Sequence, residues 1–314
     1  MIRFAKRFIV IFFVASPLLG IAQQEPQFSQ NMFNILPVNA GIAGMNDAIC
    51  ANVLYRNQWT GFVGAPKTGL FNIEAPIKFP LIAGLGVGAT LWTDKIGLSN
   101  QFGAKLALNF RFNVGPGQLG VGLQGGFLNQ SLDGSLLNPF VSDGSDESIP
   151  ASGVSAGAGT FGIGIMYKTD MFYAGISSTQ LTESTLKYAG IAYNLKRHIY
   201  VTAGMTKRLN STLEIKPSIW YNYDGAVAHQ IDLNVLLMYN NQFWGGVSYR
   251  MLDVDALVPM IGIQWNNLKV GYSYDIMLQR LRGFSTGTHE IMIGYCFKVA
   301  EKVTAQKYRN VRFL

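Results

Sequence analysis

Residue types that commonly carry enzyme chemistry are few and scattered in this chain of 314 residues. The three histidines are His198, His229 and His289, and the sequence has neither a His-Glu-x-x-His zinc motif nor a Gly-x-Ser-x-Gly nucleophile elbow. His289 precedes Glu290, but no nucleophile is in register with this pair. The sequence therefore predicts no catalytic residue, no metal site and no cofactor.

Several glycine-rich segments resemble phosphate-binding loops at first sight. Their glycines occupy every second position, at Gly84, Gly86, Gly88, Gly120, Gly122, Gly162 and Gly164. A phosphate-binding glycine loop opens a helix, whereas glycines spaced by two lie on one face of a strand. We interpret them as a stripe of small residues that faces a barrel interior and leaves room for water or for a plug.

The composition excludes an ordinary soluble domain. Hydrophobic residues make up 49% of the chain and charged residues 14%, against about 25% charged residues in a typical globular domain. After residue 46 the sequence divides into fourteen segments with period-2 alternation, which predicts β-strands. These segments are 48–58, 67–77, 82–93, 99–112, 118–131, 158–168, 171–178, 198–207, 212–223, 228–239, 242–252, 256–266, 268–277 and 288–298.

The connections between these segments indicate a membrane barrel. Connections after even-numbered segments are short, and those after odd-numbered segments are often long, notably 132–157 and 179–197. Outer-membrane barrels have short periplasmic turns and longer outer loops, and their closure satisfies every backbone hydrogen bond. The predicted fold class is all-β, a transmembrane antiparallel outer-membrane β-barrel of about 14 strands. A secreted β-sandwich or propeller is the alternative fold.

The five tryptophans are expected to mark the two membrane interfaces. By position they divide into an upper group and a lower group: Trp59, Trp92 and Trp220 above, and Trp244 and Trp265 below. We therefore predict two aromatic belts on the lipid-facing surface.

Segments at both ends flank the predicted barrel of residues 47–298. Residues 1–22 have a basic start, an apolar core and small residues before the predicted cleavage site, which indicates a cleavable signal peptide; an uncleaved anchor is the alternative. Residues 23–46 are predicted to enter the periplasmic mouth as a plug or to pack beneath it, with a mobile leader as the alternative. Residues 299–314 are predicted to form a short basic periplasmic tail.

The net charge of +7 belongs mostly to these ends. The signal peptide carries three cations, and the tail carries four against Glu301, a balance of +3. The barrel is therefore close to neutral, and the sequence predicts no nucleic-acid partner. The tail cations are candidate docking residues for an acidic periplasmic partner, with a solvated tail as the alternative: Lys302, Lys307, Arg309 and Arg312.

In a closed barrel the first and last strands are neighbours. At the upper end of this seam, Arg56, Asp275 and Glu290 are predicted to point inward, where an unpaired charge is costly. We predict an ion-pair network that connects the first and last strands where the barrel closes. A role in partner binding or gating is the alternative. Trp59 and His289 are further candidates for a partner-binding surface at the seam.

At the periplasmic end of the same seam, Cys50 and Cys296 both face inward by alternation. A disulfide between them is geometrically conceivable in an oxidising compartment. Two buried free thiols are the alternative.

Several blocks of residues share the motifs of one known family. They are residues 26–34 and 39–44 near the start, and the later blocks 55–59, 64–68, 273–276, 285–291 and 310–314. These blocks resemble the PorP/SprF family, outer-membrane proteins of the type IX secretion system in Bacteroidota. The first two blocks resemble the opening motif of that family, with departures at Asn31, Ala40, Gly41 and Ile42.

This resemblance implies a non-enzymatic role in protein secretion, and in gliding motility for some members. The implied partners are outer-membrane lipid and either a secreted adhesin or substrate or the periplasmic ring components of the secretion system. A passive channel or a transporter of hydrophobic ligands is the alternative function. An enzyme embedded in the outer membrane is a third possibility.

Overall fold

The computed structural model is an antiparallel barrel closed by fourteen strands. It describes residues 25–79, 82–132, 153–188, 192–225, 229–252, 255–278 and 285–298. The strands are β1 (Ala48–Asn57), β2 (Lys67–Phe79), β3 (Ile82–Ile96), β4 (Ser99–Val114), β5 (Gly117–Leu132), β6 (Val154–Lys168), β7 (Phe172–Thr179), β8 (Thr185–Lys187), β9 (Ala192–Asn194), β10 (His198–Met205), β11 (Lys207–Arg208), β12 (Leu213–Tyr223), β13 (His229–Tyr239), β14 (Phe243–Met251), β15 (Ala256–Trp265), β16 (Leu268–Met277) and β17 (Thr288–Lys298).

The barrel wall contains β1–β7, β10 and β12–β17, each paired with its neighbours. β8 and β9 form a separate hairpin, and β11 is a two-residue strand paired with β12. β1 pairs with β17 over its whole length and closes the wall. All fourteen segments predicted from alternation are confirmed as strands, with ends that differ by at most four residues.

Side chains alternate between the outer surface and the lumen, as the period-2 pattern requires. On β1, Val53 and Tyr55 are 49% and 50% exposed, whereas Leu54 and Arg56 are buried. On β4, Leu106 is 70% exposed while Lys105 is buried. The apolar residues that made the chain unsuited to water thus form the outer face of the wall.

Three of the five tryptophans do not lie on this outer face, so the prediction of two tryptophan belts is wrong. Trp92, Trp220 and Trp244 are buried in the lumen, because each occupies an inward position in the alternation of its own strand. Trp265 is 68% exposed, and Trp59 lies in the connection after β1.

The two ends of the barrel differ. The short-turn end holds the connections from β4 to β5, from β13 to β14 and from β15 to β16, whereas the long-loop end holds those from β5 to β6 and from β7 to β10. At the long-loop end, the β8–β9 hairpin is held to the wall by a hydrogen bond from the Ser184 hydroxyl to the Gly159 carbonyl, 2.8 Å long. Leu186 and Leu195 are buried in one apolar cluster with Phe28, so the hairpin packs over this end of the lumen.

Residues 25–47, which we call the luminal strap, run through the barrel interior. The strap contains two 3₁₀ turns, Asn31–Phe33 and Ala40–Ile42. Its first part meets wall residues near the long-loop end, where the Ser29 amide bonds Glu290. Its last part reaches the short-turn end, where Asp47 pairs with Arg111 at 2.8 Å. The strap therefore runs through the lumen from near the long-loop end to the short-turn end. No helix among the described residues is long and apolar enough to cross a membrane.

The inward glycines of the wall make room for the second turn of the strap. A Cβ atom on Gly122 would overlap the backbone of Ala40, and one on Gly164 would overlap the Asn39 side chain. A Cβ atom on Gly41 of the strap would lie 3.0 Å from the carbonyl oxygens of Gly120 and Gly164. The backbones of strap and wall are therefore in direct contact, which only glycine permits.

We expect Gly122→Val to displace the strap, because the added side chain would overlap Ala40. Overpacking of this kind costs about 1–3 kcal/mol. Limited thermolysin digestion of the folded protein in detergent should then cleave the strap faster than in the wild type.

Gly125→Val is the matched control on the same strand, because the nearest atom to a Cβ at Gly125 is 3.9 Å away. Equal digestion rates for the two variants would show that the glycine stripe does not seat the strap.

Candidate functional site

Five charged side chains meet in the upper lumen and form what we call the luminal charge cluster: Arg56, Asp232, Arg250, Asp275 and Glu290. They come from five wall strands, β1, β13, β14, β16 and β17. Each occupies an inward position of its strand, and all five are buried. The cluster therefore includes both strands of the closing seam and three strands, β16, β14 and β13, on one side of it.

Two arginines share the central carboxylate of the cluster. Arg56 places Nη2 2.8 Å from Asp275 Oδ2 and Nη1 3.0 Å from Glu290 Oε2. Arg250 lies 3.2 Å from the same Asp275 oxygen through Nη1, and 3.0 Å from Asp232 Oδ1 through Nε. Three carboxylates thus face two guanidinium groups, and the cluster carries one formal negative charge in excess.

The luminal strap supplies further hydrogen bonds to the cluster. The backbone amides of Ser29 and Gln30 each donate to one Glu290 oxygen at 2.8 Å. The Ser29 hydroxyl donates to Asp275 Oδ1 at 2.7 Å. The Asn31 side chain donates to Asp232 Oδ2 at 2.8 Å. Buried carboxylates need such donors. The strap therefore belongs to the hydrogen-bond network of the cluster, in addition to occupying space in the lumen.

The three seam charges predicted from sequence are brought together, but two other candidates are not. His289 lies on the outward face, where its Nδ1 is 2.7 Å from the Tyr272 hydroxyl and its ring is 5.0 Å from that of Tyr274. The Trp59 backbone amide donates to the Thr288 hydroxyl at 3.1 Å. Neither residue belongs to the luminal charge cluster, because β-strand alternation puts His289 and Glu290 on opposite faces.

Sequence reasoning missed Asp232, Arg250 and the strap residues 29–31. A signal for the first two was present: Gln230, Asp232 and Asn234 alternate with apolar residues on β13. Alternation shows that such polar residues face inward, but it does not show which of them meet across the lumen.

Glu25, at the start of the strap, occupies a second polar site near the long-loop end. Its Oε1 is 2.9 Å from Lys105 Nζ, and its Oε2 accepts from the hydroxyls of Thr179 and Tyr200 at 2.8 and 2.9 Å. Burial by itself would raise the pKa of Glu25, but the Lys105 charge, with smaller contributions from His198 and the hydrogen bonds, lowers this pKa to about 2. Glu25 is therefore a second ionic tie between strap and wall.

The structure joins Cys50 and Cys296 by a disulfide. The two residues are direct partners in the β1–β17 ladder, so the bond crosses the closing seam below the charge cluster. The tail candidates Lys302, Lys307, Arg309 and Arg312, like the signal-peptide residues 1–22, lie outside the described residues.

We expect Arg250→Met to lower the free energy of unfolding by about 3–5 kcal/mol, because it leaves buried carboxylates without their counter-charge. Urea-induced unfolding of the refolded barrel, followed by tryptophan fluorescence, measures this change. Arg208→Met is the matched control: Arg208 is 73% exposed and pairs with Glu214 at 3.4 Å, and such a surface pair contributes about 1 kcal/mol or less. Losses of equal size would refute the special role of the cluster.

The Glu25 tie should weaken in acid. Its pKa is lower in the folded protein than in the unfolded chain, so ionised Glu25 stabilises the fold above about pH 4.3, by about 3 kcal/mol. This stabilisation should be lost as the pH falls from about 4.3 towards 2.

Urea unfolding at pH values from 7 to 3 measures the difference in unfolding free energy between the wild type and Glu25→Gln, and this difference should become smaller as the pH falls. Glu183→Gln, an exposed carboxylate in a neighbouring loop, controls for the loss of one charge. A difference that stays constant with pH would contradict the assignment.

Two kinds of comparison with known proteins give matches. A family model described as the type IX secretion system membrane protein PorP/SprF matches residues 20–295, whereas the search of curated proteins finds no match. Similar solved structures include Omp33 of Acinetobacter baumannii, with 8% identity, 80% of this chain and 97% of that chain covered, and a TM-score of 0.46. A variant of the Rh. blastica porin has 12% identity, 80% and 99% coverage, and a TM-score of 0.36. The KdgM porin has 9% identity with the same coverage and TM-score.

Since the family model spans most of the chain, this protein belongs to the PorP/SprF family of type IX secretion system membrane proteins.

Proposed function

We propose that this protein is a plugged docking component of type IX secretion, not a passive channel. It binds either a secreted adhesin or substrate, gliding adhesins included, or the periplasmic ring components of the system. The single observation that carries the proposal is the luminal strap, whose residues run through the lumen from the charge cluster to the short-turn end.

The energetics of the strap support a closed resting state. Opening a channel would remove the amides of Ser29 and Gln30 from Glu290 and would break the buried pair between Glu25 and Lys105. Losing partners of buried charges costs several kcal/mol. A pore that opens and closes passively would need a strap held by weaker contacts than these.

We also propose that the protein has no enzymatic activity of its own. Two observations support this: membership of a family of secretion-system membrane components, and a luminal charge cluster whose carboxylates are bonded to arginines and to the strap. Carboxylates held by these bonds stabilise the packing and the closure of the barrel, and we infer no role for them in proton transfer or nucleophilic attack.

The location and the flanking segments complete the proposal. Residues 1–22 act as a cleaved signal peptide, the short-turn end faces the periplasm as in other outer-membrane barrels, and residues 299–314 form a basic periplasmic tail. Lys302, Lys307, Arg309 and Arg312 then contact an acidic periplasmic partner.

Planar-bilayer conductance tests the closed state. The wild-type protein should show no steady open current, because the strap occupies the lumen. Gly122→Val, which unseats the strap, should produce open events, while Gly125→Val should remain silent. A steady pore in the wild type would favour the passive channel or the hydrophobic-ligand transporter instead.

Affinity capture from native outer membranes tests the docking role. Secretion-system components or a secreted adhesin should co-purify with the wild-type protein. Their absence after mild chemical cross-linking would refute docking, whatever the conductance result.

A further inference from the structure

A cavity of about 460 Å³ opens between the strap and the wall at the short-turn end. Its volume lies within the roughly 300–1,000 Å³ that ligand sites occupy. Strap residues such as Met32 and Phe33 form one side, and residues of β1, β2, β16 and β17 form the other. The Cys50–Cys296 disulfide is part of its lining.

Lys269 gives this cavity an uncompensated positive charge. Its ammonium group lies 4.5 Å from the centroid of the Phe33 ring, and it forms no ion pair with any of the described residues. The second cation in the lining, Lys168, is near Glu74. The nearby Lys216 is already paired with Glu214 at 3.3 Å. Lys269 therefore remains available for an anionic group.

The remaining lining favours a peptide over a fatty acid. Gln264, Asn266 and Asn267 are among the residues that line the cavity, and none of their side chains bonds to a described side chain. An amide side chain offers one acceptor and two donors, which match the carbonyl and N–H groups of a peptide backbone. Met32 and Ile35 add apolar surface for a neighbouring side chain. A fatty acid would use the cation and the apolar surface but not the three amides.

The cavity also has a direction of access. The strap and the β8–β9 hairpin fill and cover the lumen towards the long-loop end, whereas the cavity lies beside the turn at Asn266 and Asn267. In the orientation of outer-membrane barrels this end faces the periplasm. A ligand therefore enters from the periplasmic side.

We propose that this cavity binds an extended peptide segment of a periplasmic partner, with a carboxylate on Lys269 and an apolar side chain against the strap. The inference rests on the proposed docking function and names the chemistry of one docking partner. The Lys269 ammonium holds the carboxylate, and the amides of Gln264, Asn266 and Asn267 hold the peptide backbone.

Methionine-methyl NMR of the full-length protein in detergent tests the site directly. The probe is an acetylated and amidated five-residue peptide with two leucines and a central glutamate, compared with the same peptide carrying glutamine there. The glutamate peptide should shift the Met32 resonance and leave Met205, on β10, unchanged. The glutamine peptide should bind at least about tenfold more weakly, as expected when a charge-assisted contact is lost.

Variants of Lys269 separate charge from packing. Lys269→Gln should abolish the preference for glutamate and Lys269→Arg should retain it, while Lys67→Gln, at the exposed far end of β2, should behave as wild type. A difference in electrophoretic mobility between heated and unheated samples verifies that each barrel is folded. Three outcomes would overturn the proposal: no binding at millimolar peptide, equal binding of both peptides, or binding of laurate alone.

A second measurement distinguishes this inference from the proposed function. Affinity capture is repeated with Lys269→Glu, which reverses the charge in the cavity. If the wild type captures no secretion component, the docking function itself fails. If both proteins capture the same periplasmic components equally well, docking stands and the cavity inference fails. Loss of a periplasmic component from Lys269→Glu alone supports the inference.

Discussion

Buried negative charge inside the barrel is the constraint on which the rest of the structure depends. Asp232, Asp275 and Glu290 face only two arginines in the luminal charge cluster. The missing donors come from the strap, whose amides at Ser29 and Gln30 bind both Glu290 oxygens. Since a buried carboxylate without donors is costly, a barrel with this interior is stable only with its N-terminal segment inside. Wall and strap therefore share one buried network of ion pairs and hydrogen bonds.

The composition of the wall follows from this arrangement. The strap can approach the wall closely only where inward side chains are absent, which explains the alternate glycines such as Gly122 and Gly164. The opposite face of the same strands meets lipid and carries the large apolar side chains. One strand thus satisfies two environments, because its successive residues point in opposite directions.

The two ends of the lumen have different chemistry. The long-loop end is tied by Glu25 and by the charge cluster and lies under the β8–β9 hairpin, with its charged groups paired. The short-turn end retains the cavity with the unpaired Lys269. This asymmetry supports the proposed docking function, in which the closed end faces outwards and the polar cavity faces the periplasm. A porin, by contrast, has an aqueous channel along its whole length.

The sequence alone determined the barrel, its fourteen strands, the alternation of inward and outward positions along them, and the meeting of Arg56 with Asp275 and Glu290. These properties follow from period-2 alternation and from the closure that makes the first and last strands neighbours. Only the tertiary structure decided that Arg250 and Asp232 join them and that the strap passes through the whole barrel. The physical reason is that alternation encodes the direction of a side chain, whereas a contact across the lumen depends on register, shear and the path of a segment without regular structure.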